Sequence, residues 1–309
     1  MKVLVVGTGA IGGFYGALLA KQGAEVSIVC RSDYHLVKQQ GFAIDSHDLG
    51  QWNFKPKQVL KSAAEFSETA DYILLCTKVI KTLNRIKLIK SAVKPKTAIV
   101  FIQNGIEIEQ ELRDAFPNNE LISGLAFICS NRIAPGKIAH LAYGRLTLGN
   151  VPDGVSHKTQ TLSKAFIQSG IDCQTTDNII TARWQKCIWN APFNPLSVLS
   201  NGLDTSSILK HQEDLVRNIM QEVFTIAAIT GHPLPSDIIA SNIANTYNMP
   251  PYKTSMLLDF LAGRPMETEA ILGNTVRAGR REKVSCPYLE TIYALMQLRE
   301  LQMVQNSNE

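Results

Sequence analysis

MKVLVVGTGAIG, residues 1–12, runs from an apolar strand signal at Val3–Val6 into a glycine-spaced turn, Gly7-Thr8-Gly9-Ala10-Ile11-Gly12, and on into a helix-like segment at 10–21. The spacing G-x-G-x-x-G is weak by itself. Directly after a strand and opening a helix, it is the arrangement that cradles the pyrophosphate of a dinucleotide. Gly7 permits the tight turn, Gly9 lets the backbone approach an anion, and Gly12 allows close packing of helix on strand, a small face that Gly16 extends. The helix N-terminus contributes amide donors and the positive end of a dipole.

Outward from this turn, strand and helix signals alternate. Apolar runs at Val26–Cys30, Tyr72–Cys76 and Ala98–Ile102 are separated by helix-like segments at about 32–40, 79–92 and 106–115. Runs that are apolar throughout, rather than alternating, indicate strands buried on both faces, as in a parallel sheet. The pattern predicts a Rossmann-like, doubly wound α/β domain. From Leu121 to Gly149 it changes to three strand signals, Leu121–Cys129, Lys137–Leu141 and Arg145–Leu148, with a Pro135-Gly136 turn, which predicts an antiparallel extension of the sheet. A helix at 156–168 and a strand near 171–174 close the domain. Beyond about Thr176 only helical periodicity remains, at 178–191, 206–230, 236–247, 254–262, 267–280 and 287–302, and the tail Gln305–Glu309 reads as frayed. The expected architecture is a dinucleotide-binding domain over 1–175 and an all-α domain over 176–309, where substrate binding and catalysis would reside.

Bulk properties narrow the partners. A chain of 309 residues with 45% hydrophobic and 19% charged residues is an ordinary globular protein of two domains. A net charge of +4 is too mild for a nucleic-acid binder, and the dense basic cluster Arg277 to Lys283 reads as a solvated helix end. Six cysteines without a C-x-x-C pair argue against a metal site and for a reducing compartment. With no signal peptide and no run able to span a bilayer, a soluble cytoplasmic protein without membrane partners is expected.

The end of the second strand selects the cofactor. NAD-binding chains place an acid there for the ribose 2′-hydroxyl. Here the residues are Val29-Cys30-Arg31-Ser32, with no acid before Asp33. Arg31 suits a 2′-phosphate, and Ser32 adds a hydroxyl, so NADP(H) is expected. Lys78, after Cys76-Thr77, and Asn104, in Gln103-Asn104-Gly105, stand at ends of predicted parallel strands, where ligands bind in such sheets. Lys78 suits a phosphate or the substrate, Asn104 the nicotinamide ribose or the substrate. On the helix at 178–191, Ile180, Trp184, Cys187, Ile188 and Ala191 form an apolar stripe, with Trp189 nearly opposite. A narrow polar strip, Arg183, Lys186 and Asn190, runs between them. Such a strip fits a helix lining a cleft or one whose charges face water. Pro192 leaves open whether Asn194 stays on the Lys186 face.

Taken in order, Gly7–Gly12, Arg31, Thr77-Lys78, Gln103-Asn104-Gly105, the run from Pro135-Gly136 through His140 to Gly149, Lys186…Asn190…Asn194-Pro195-Leu196, Ser255-Met256…Asp259 and Glu267 resemble the ketopantoate reductase (2-dehydropantoate 2-reductase) family over essentially the full length. Leu272 and Pro192 depart from the family pattern. The resemblance implies that Lys186 is the general acid, that Asn104, Asn190 and Asn194 orient the substrate or the lysine, and that Ser255 holds the substrate carboxylate. It further implies that Glu267 binds the substrate's hydroxyl end and that Arg31 and Lys78 serve the NADPH phosphates. The expected reaction is NADPH-dependent reduction of a small 2-keto acid, 2-dehydropantoate to pantoate in pantothenate synthesis. Alternative readings are a reductase of another branched 2-keto acid, a 3-hydroxy acid type dehydrogenase, and a non-catalytic NADPH-binding regulator. The resemblance also makes a homodimer through the C-terminal helices plausible.

Overall fold

A computed structural model of the chain describes residues 1–306. Its elements run β1 (Lys2–Val6), α1 (Ala10–Lys21), β2 (Glu25–Val29), α2 (Tyr34–Gln40), β3 (Phe42–Ser46), β4 (Gly50–Phe54), β5 (Gln58–Leu60), β6 (Tyr72–Leu75), α3 (Arg85–Ile89), β7 (Ala98–Ile102), α4 (Gln110–Ala115), β8 (Leu121–Ala134), β9 (Lys137–Asn150), α5 (His157–Gln168) and β10 (Cys173–Thr175). Helices follow: α6 (Ile179–Leu199), α7 (Thr205–Ile229), α8 (Ile238–Asn248), α9 (Ser255–Leu261), a π-helical turn (Glu269–Gly273), α10 (Asn274–Arg281) and α11 (Pro287–Asn306). Gln305 and Asn306 continue α11, and the remainder of the expected frayed tail, 307–309, lies outside the described residues. No helix among the described residues is long and apolar enough to cross a membrane.

The chain divides into two compact units. The first comprises Met1–Lys78, Leu83–Gln103 and Glu109–Ile179; the second comprises Val79–Thr82, Asn104–Ile108 and Ile180–Glu309. In the first, a single sheet has the order β4-β3-β9-β8-β7-β6-β1-β2-β5, with β10 beside β9. The pairings from β8 through β7, β6, β1 and β2 to β5 are all parallel. Chain order reverses at β1, which lies between β2 and β6, and ligands bind outside the strand ends at such a switch point. The central strands are buried on both faces, as their unbroken apolar runs require, and α1 is buried from Gly12 to Leu19 against them.

Several local expectations are revised. Segment 41–60 contains three short strands that strand–helix alternation did not reveal, since β3 alternates buried and exposed residues and β4 is mostly exposed. The two strands expected at Lys137–Leu141 and Arg145–Leu148 are one, β9, paired antiparallel with β8 through irregularities near Tyr143, where Tyr143 and Gly144 both take positive φ. The helix expected at 79–92 is only α3, begun by Asn84, whose side chain accepts from the Lys87 amide. The helix expected from 106 starts at Gln110, because Ile106 donates its amide to the Ala270 carbonyl at 2.9 Å in the π-helical turn. The basic cluster at 277–283 is exposed but paired: Arg277 with Glu269, Arg280 with Glu290 and Arg281 with Glu107.

The helical unit has its own core, in which Trp184, Ile188, Ala191, Phe193 and Val198 of α6 meet Val216, Met220 and Val223 of α7 and Ile271 and Leu272 of the π-helical turn. Leu272 is fully buried there. Pro192 and Pro195 both lie inside α6, although a proline in a helix interior costs about 3 kcal/mol. Burial of this apolar stripe offsets that cost, and the helix continues to Leu199. Asn194 therefore stands two helical turns beyond Lys186, near its face.

Candidate active site

Gly7 sits at φ +97°, and a Cβ there would lie 2.6 Å from the amide nitrogen of Thr77. A Cβ on Gly12 would lie 2.2 Å from the Gly7 carbonyl. Both glycines are demanded by close backbone approach. Gly9 is different, since a Cβ there meets nothing within 4 Å. Gly9 is the N-cap of α1, so the opening amides of the helix, from Ala10 through Ile11 to Gly12, have no intrahelical acceptor. Helix-opening amides beside the open space at Gly9 are what a pyrophosphate requires. Thr8 closes its side by donating to the Val29 carbonyl at 3.1 Å.

At the end of β2, Arg31 is exposed and its side chain makes no hydrogen bond or ion pair to a described residue. Ser32 accepts from Arg132 at 3.0 Å, and Arg132 also pairs with Asp33 at 3.2 Å. Asp33 is buried and accepts from the Gly136 amide at 2.9 Å. The nearest acid is thus tied to the β8–β9 turn and neutralised by Arg132. The sequence reading missed Arg132, because only the pairing of distant strands brings it to Ser32. Thr77 and half-buried Lys78 follow β6, and the carbonyl of Thr77 accepts from Gln103 at 2.6 Å. Gln103 in turn accepts from buried Arg85 at 2.8 Å. Gln103 and Arg85 had no distinguishing signal beyond position.

In the helical unit, Lys186 donates from Nζ to Oδ1 of Asn104 at 2.8 Å. The Asn104 amide donates to Oε2 of Glu267 at 3.2 Å, and Oε1 of Glu267 accepts from the Val79 amide at 3.0 Å. Glu267 is only 5% exposed. Arg183, one turn before Lys186, is 2% exposed and donates to the Gly105 carbonyl at 3.1 Å. The polar strip of α6 therefore faces protein, not water. Some surface of Lys186 stays accessible, yet its ammonium is deep enough that burial is the leading cause lowering its pKa from 10.5 to about 8. The Arg183 charge lowers it further, and Glu267 opposes both.

Farther along α6, Asn190 and Asn194 are 8% and 2% exposed, and their side-chain amides make no hydrogen bond to a described residue. Buried amides without protein partners are suited to a polar ligand. Ser255 is the exposed first residue of α9, and its hydroxyl likewise makes no hydrogen bond to a described residue. Its neighbour Thr254 bonds Ser197 at 2.8 Å, and Ser197 donates to the Asn194 carbonyl at 2.9 Å, which ties the start of α9 to α6. The structure thus joins Lys186, Asn104 and Glu267 in one hydrogen-bonded chain. It sets Asn190 and Asn194 on the same helix, and leaves Ser255 outside the chain. Among the described residues no cluster of side chains could hold a metal ion, and none of the six cysteines is in a disulfide.

His140, which belonged to the resemblance, is structural. It is buried, with Nδ1 at 2.8 Å from the Ser46 hydroxyl and Nε2 at 3.2 Å from the Tyr143 carbonyl.

A doubly wound sheet with a glycine turn at its switch point, together with a helical unit carrying an enclosed lysine, defines an oxidoreductase that uses a nicotinamide cofactor. The chain belongs to the ketopantoate reductase family: the model of ketopantoate reductase PanE/ApbA matches residues 3–153 and that of its C-terminal domain matches residues 178–300. It is 33% identical over 298 residues to 2-dehydropantoate 2-reductase of Nostoc sp., covering 94% of this chain and 93% of the relative. The crystal structure of 2-dehydropantoate 2-reductase from Methylococcus capsulatus superposes with a TM-score of 0.94 at 60% identity, covering 98% of each chain. The fold is shared with a D-mandelate dehydrogenase solved with NADH and anilino(oxo)acetate, at 23% identity and a TM-score of 0.88 over 98% of this chain and 99% of that one.

Proposed function

We propose that the protein reduces 2-dehydropantoate to pantoate with NADPH, and that Lys186 supplies the proton. The observation that carries this reading is the enclosed Lys186 ammonium held at 2.8 Å by Asn104, whose amide is itself anchored on Glu267. NADPH, when bound, supplies the hydride that reduces the C2 ketone. Gly7, Thr8, Gly9, Ala10, Ile11 and Gly12 would hold its pyrophosphate. Arg31, backed by Arg132 and Ser32, would hold the 2′-phosphate, with Lys78 and Asn104 serving the remaining polar groups. The unpaired Arg31 and the sequestered Asp33 favour NADPH over NADH.

As the ketone is reduced, negative charge grows on its oxygen. Lys186 would stabilise that charge and deliver a proton to it, help that typically contributes about 10²–10⁴-fold. A lysine lowered to about 8 suits the task, since it is still mostly protonated at neutral pH yet gives up its proton more readily than an ordinary one. Asn190 and Asn194 would orient the keto acid, and Ser255 would hold its carboxylate. Glu267 accepts from the Val79 amide and from Asn104, and its carboxylate would also receive a substrate hydroxyl.

The test is NADPH oxidation with a panel of 2-keto acids, hydroxylated and plain. The hydroxylated branched acid should be preferred, and Glu267→Ala should raise its KM far more than that of plain acids. Equal effects on both classes would make Glu267 structural, and preference for a plain acid would move the assignment to another 2-keto acid.

A homodimer is part of the same proposal. Along α11 the side chains of Leu295, Leu298, Leu301 and Val304 are exposed, and the three leucines border a groove shared with Leu199 and Arg299. An apolar row of this kind on a helix is suited to a second copy of the chain. A family relative from Staphylococcus aureus is described as dimeric.

A further inference from the structure

Arg183 has no place in the reaction as described, yet it is nearly as buried as the core around it. It lies three residues before Lys186 on α6, so the two cations share a face. Its Nη1 donates to the carbonyl of Gly105 at 3.1 Å. Gly105 takes φ +117°, and a Cβ there would lie 2.6 Å from the Ala270 carbonyl, so this turn is closely confined. The preceding residue is Asn104, which holds the lysine.

Arg183, on its own helix, and Glu267, in the segment before the π-helical turn, act on the charge of Lys186, and the turn at 104–105 places the neutral Asn104 against it. A like charge nearby disfavours the protonated lysine, and burial strengthens that effect.

We propose that Arg183 is a positioning residue for the reduction: it pins the Asn104-Gly105 turn that holds Lys186, and its charge eases transfer of the lysine's proton to the substrate oxygen. This rests on Lys186 being the proton donor. It assigns the two cations separate duties, one giving a proton and one never doing so, since a guanidinium stays charged.

The experiment is a titration of the Lys186 side chain in the full-length protein by NMR with labelled lysine, the signal being assigned by its loss in Lys186→Ala. Wild type, Arg183→Met, Arg183→Gln and Arg183→Lys are compared, alongside the pH profile of kcat. Glutamine keeps a donor for the Gly105 carbonyl but removes the charge, while lysine keeps the charge. Both neutral variants should move the Lys186 midpoint, and the alkaline fall of kcat, upward by about one pH unit, and Arg183→Lys should restore the wild-type midpoint. An unmoved midpoint in a folded neutral variant overturns the proposal. Failure of both neutral variants to fold also overturns it, by making Arg183 a stability residue. If Lys186→Ala keeps its turnover, the proton-donor reading falls whatever Arg183 does; if Lys186 is essential but indifferent to Arg183, only the present inference falls.

Discussion

Gly9 and Gly12 belong to one turn of sequence but answer to different demands. Gly12 is required by the protein's own backbone, whereas Gly9 faces open space and has a φ of −76° that any residue adopts. Gly12→Ala should therefore cost stability, about 1–3 kcal/mol as an overpacked contact. Gly9→Ala should leave Tm nearly unchanged and weaken NADPH binding at least about tenfold, roughly 1.4 kcal/mol, because its methyl would occupy the phosphate cradle. Thermal melts and a fluorescence titration separate the two. Equal losses of stability would mean that Gly9 is structural and the cradle misplaced. These glycines, with Arg31, were legible from local spacing, since each acts through a turn or strand end that neighbouring residues define. Lys186, Asn104 and Glu267 were legible only through their order along the chain and the resemblance it carried. The hydrogen bonds between them join positions 82 and 163 residues apart. Arg132 and the anchoring of Arg183 on Gly105 left no local trace for the same reason.

At the scale of elements, strong periodicity was readable and tertiary override was not. The buried parallel strands announced themselves as apolar runs. The short strands at 42–60 did not, because β4 is exposed over most of its length and lacks an apolar signature. Nor could propensity show that α6 continues through two prolines, which packing decides. The join between β3 and β9 yields a pH prediction. Nε2 of His140 faces a carbonyl and donates to it, so in the neutral ring Nδ1 accepts from Ser46. Burial holds its pKa below the ordinary 6.5. Above 6.5 the ring is neutral in both folded and unfolded chains. As pH falls below 6.5 the unfolded chain takes up the proton first, so stability is lost until the lower folded value is passed. Tm should drop across this window in wild type and less steeply in His140→Gln, although the variant starts lower. Parallel Tm–pH curves would show that His140 does not carry the dependence.

For the whole molecule, each unit has a continuous core of its own, so each shows in the sequence as its own class of pattern: mixed strand and helix first, then helix alone. Association is less readable, because exposed leucines on a terminal helix are ordinary one at a time and informative only as a row. If α11 forms a dimer face, the double variant Leu298→Glu, Leu301→Glu should sediment as a monomer at concentrations where wild type is dimeric. A wild-type monomer, or a variant dimer of unchanged mass, would remove that proposal.

The claim on which the account turns is that the lysine on α6 gives the proton while the glycine turn holds the cofactor, two duties carried by different groups. Lys186→Ala measures both at once. Its kcat should fall by about 10²–10⁴-fold while its Kd for NADPH stays close to that of wild type. Turnover near the wild-type rate in a folded variant would contradict the account.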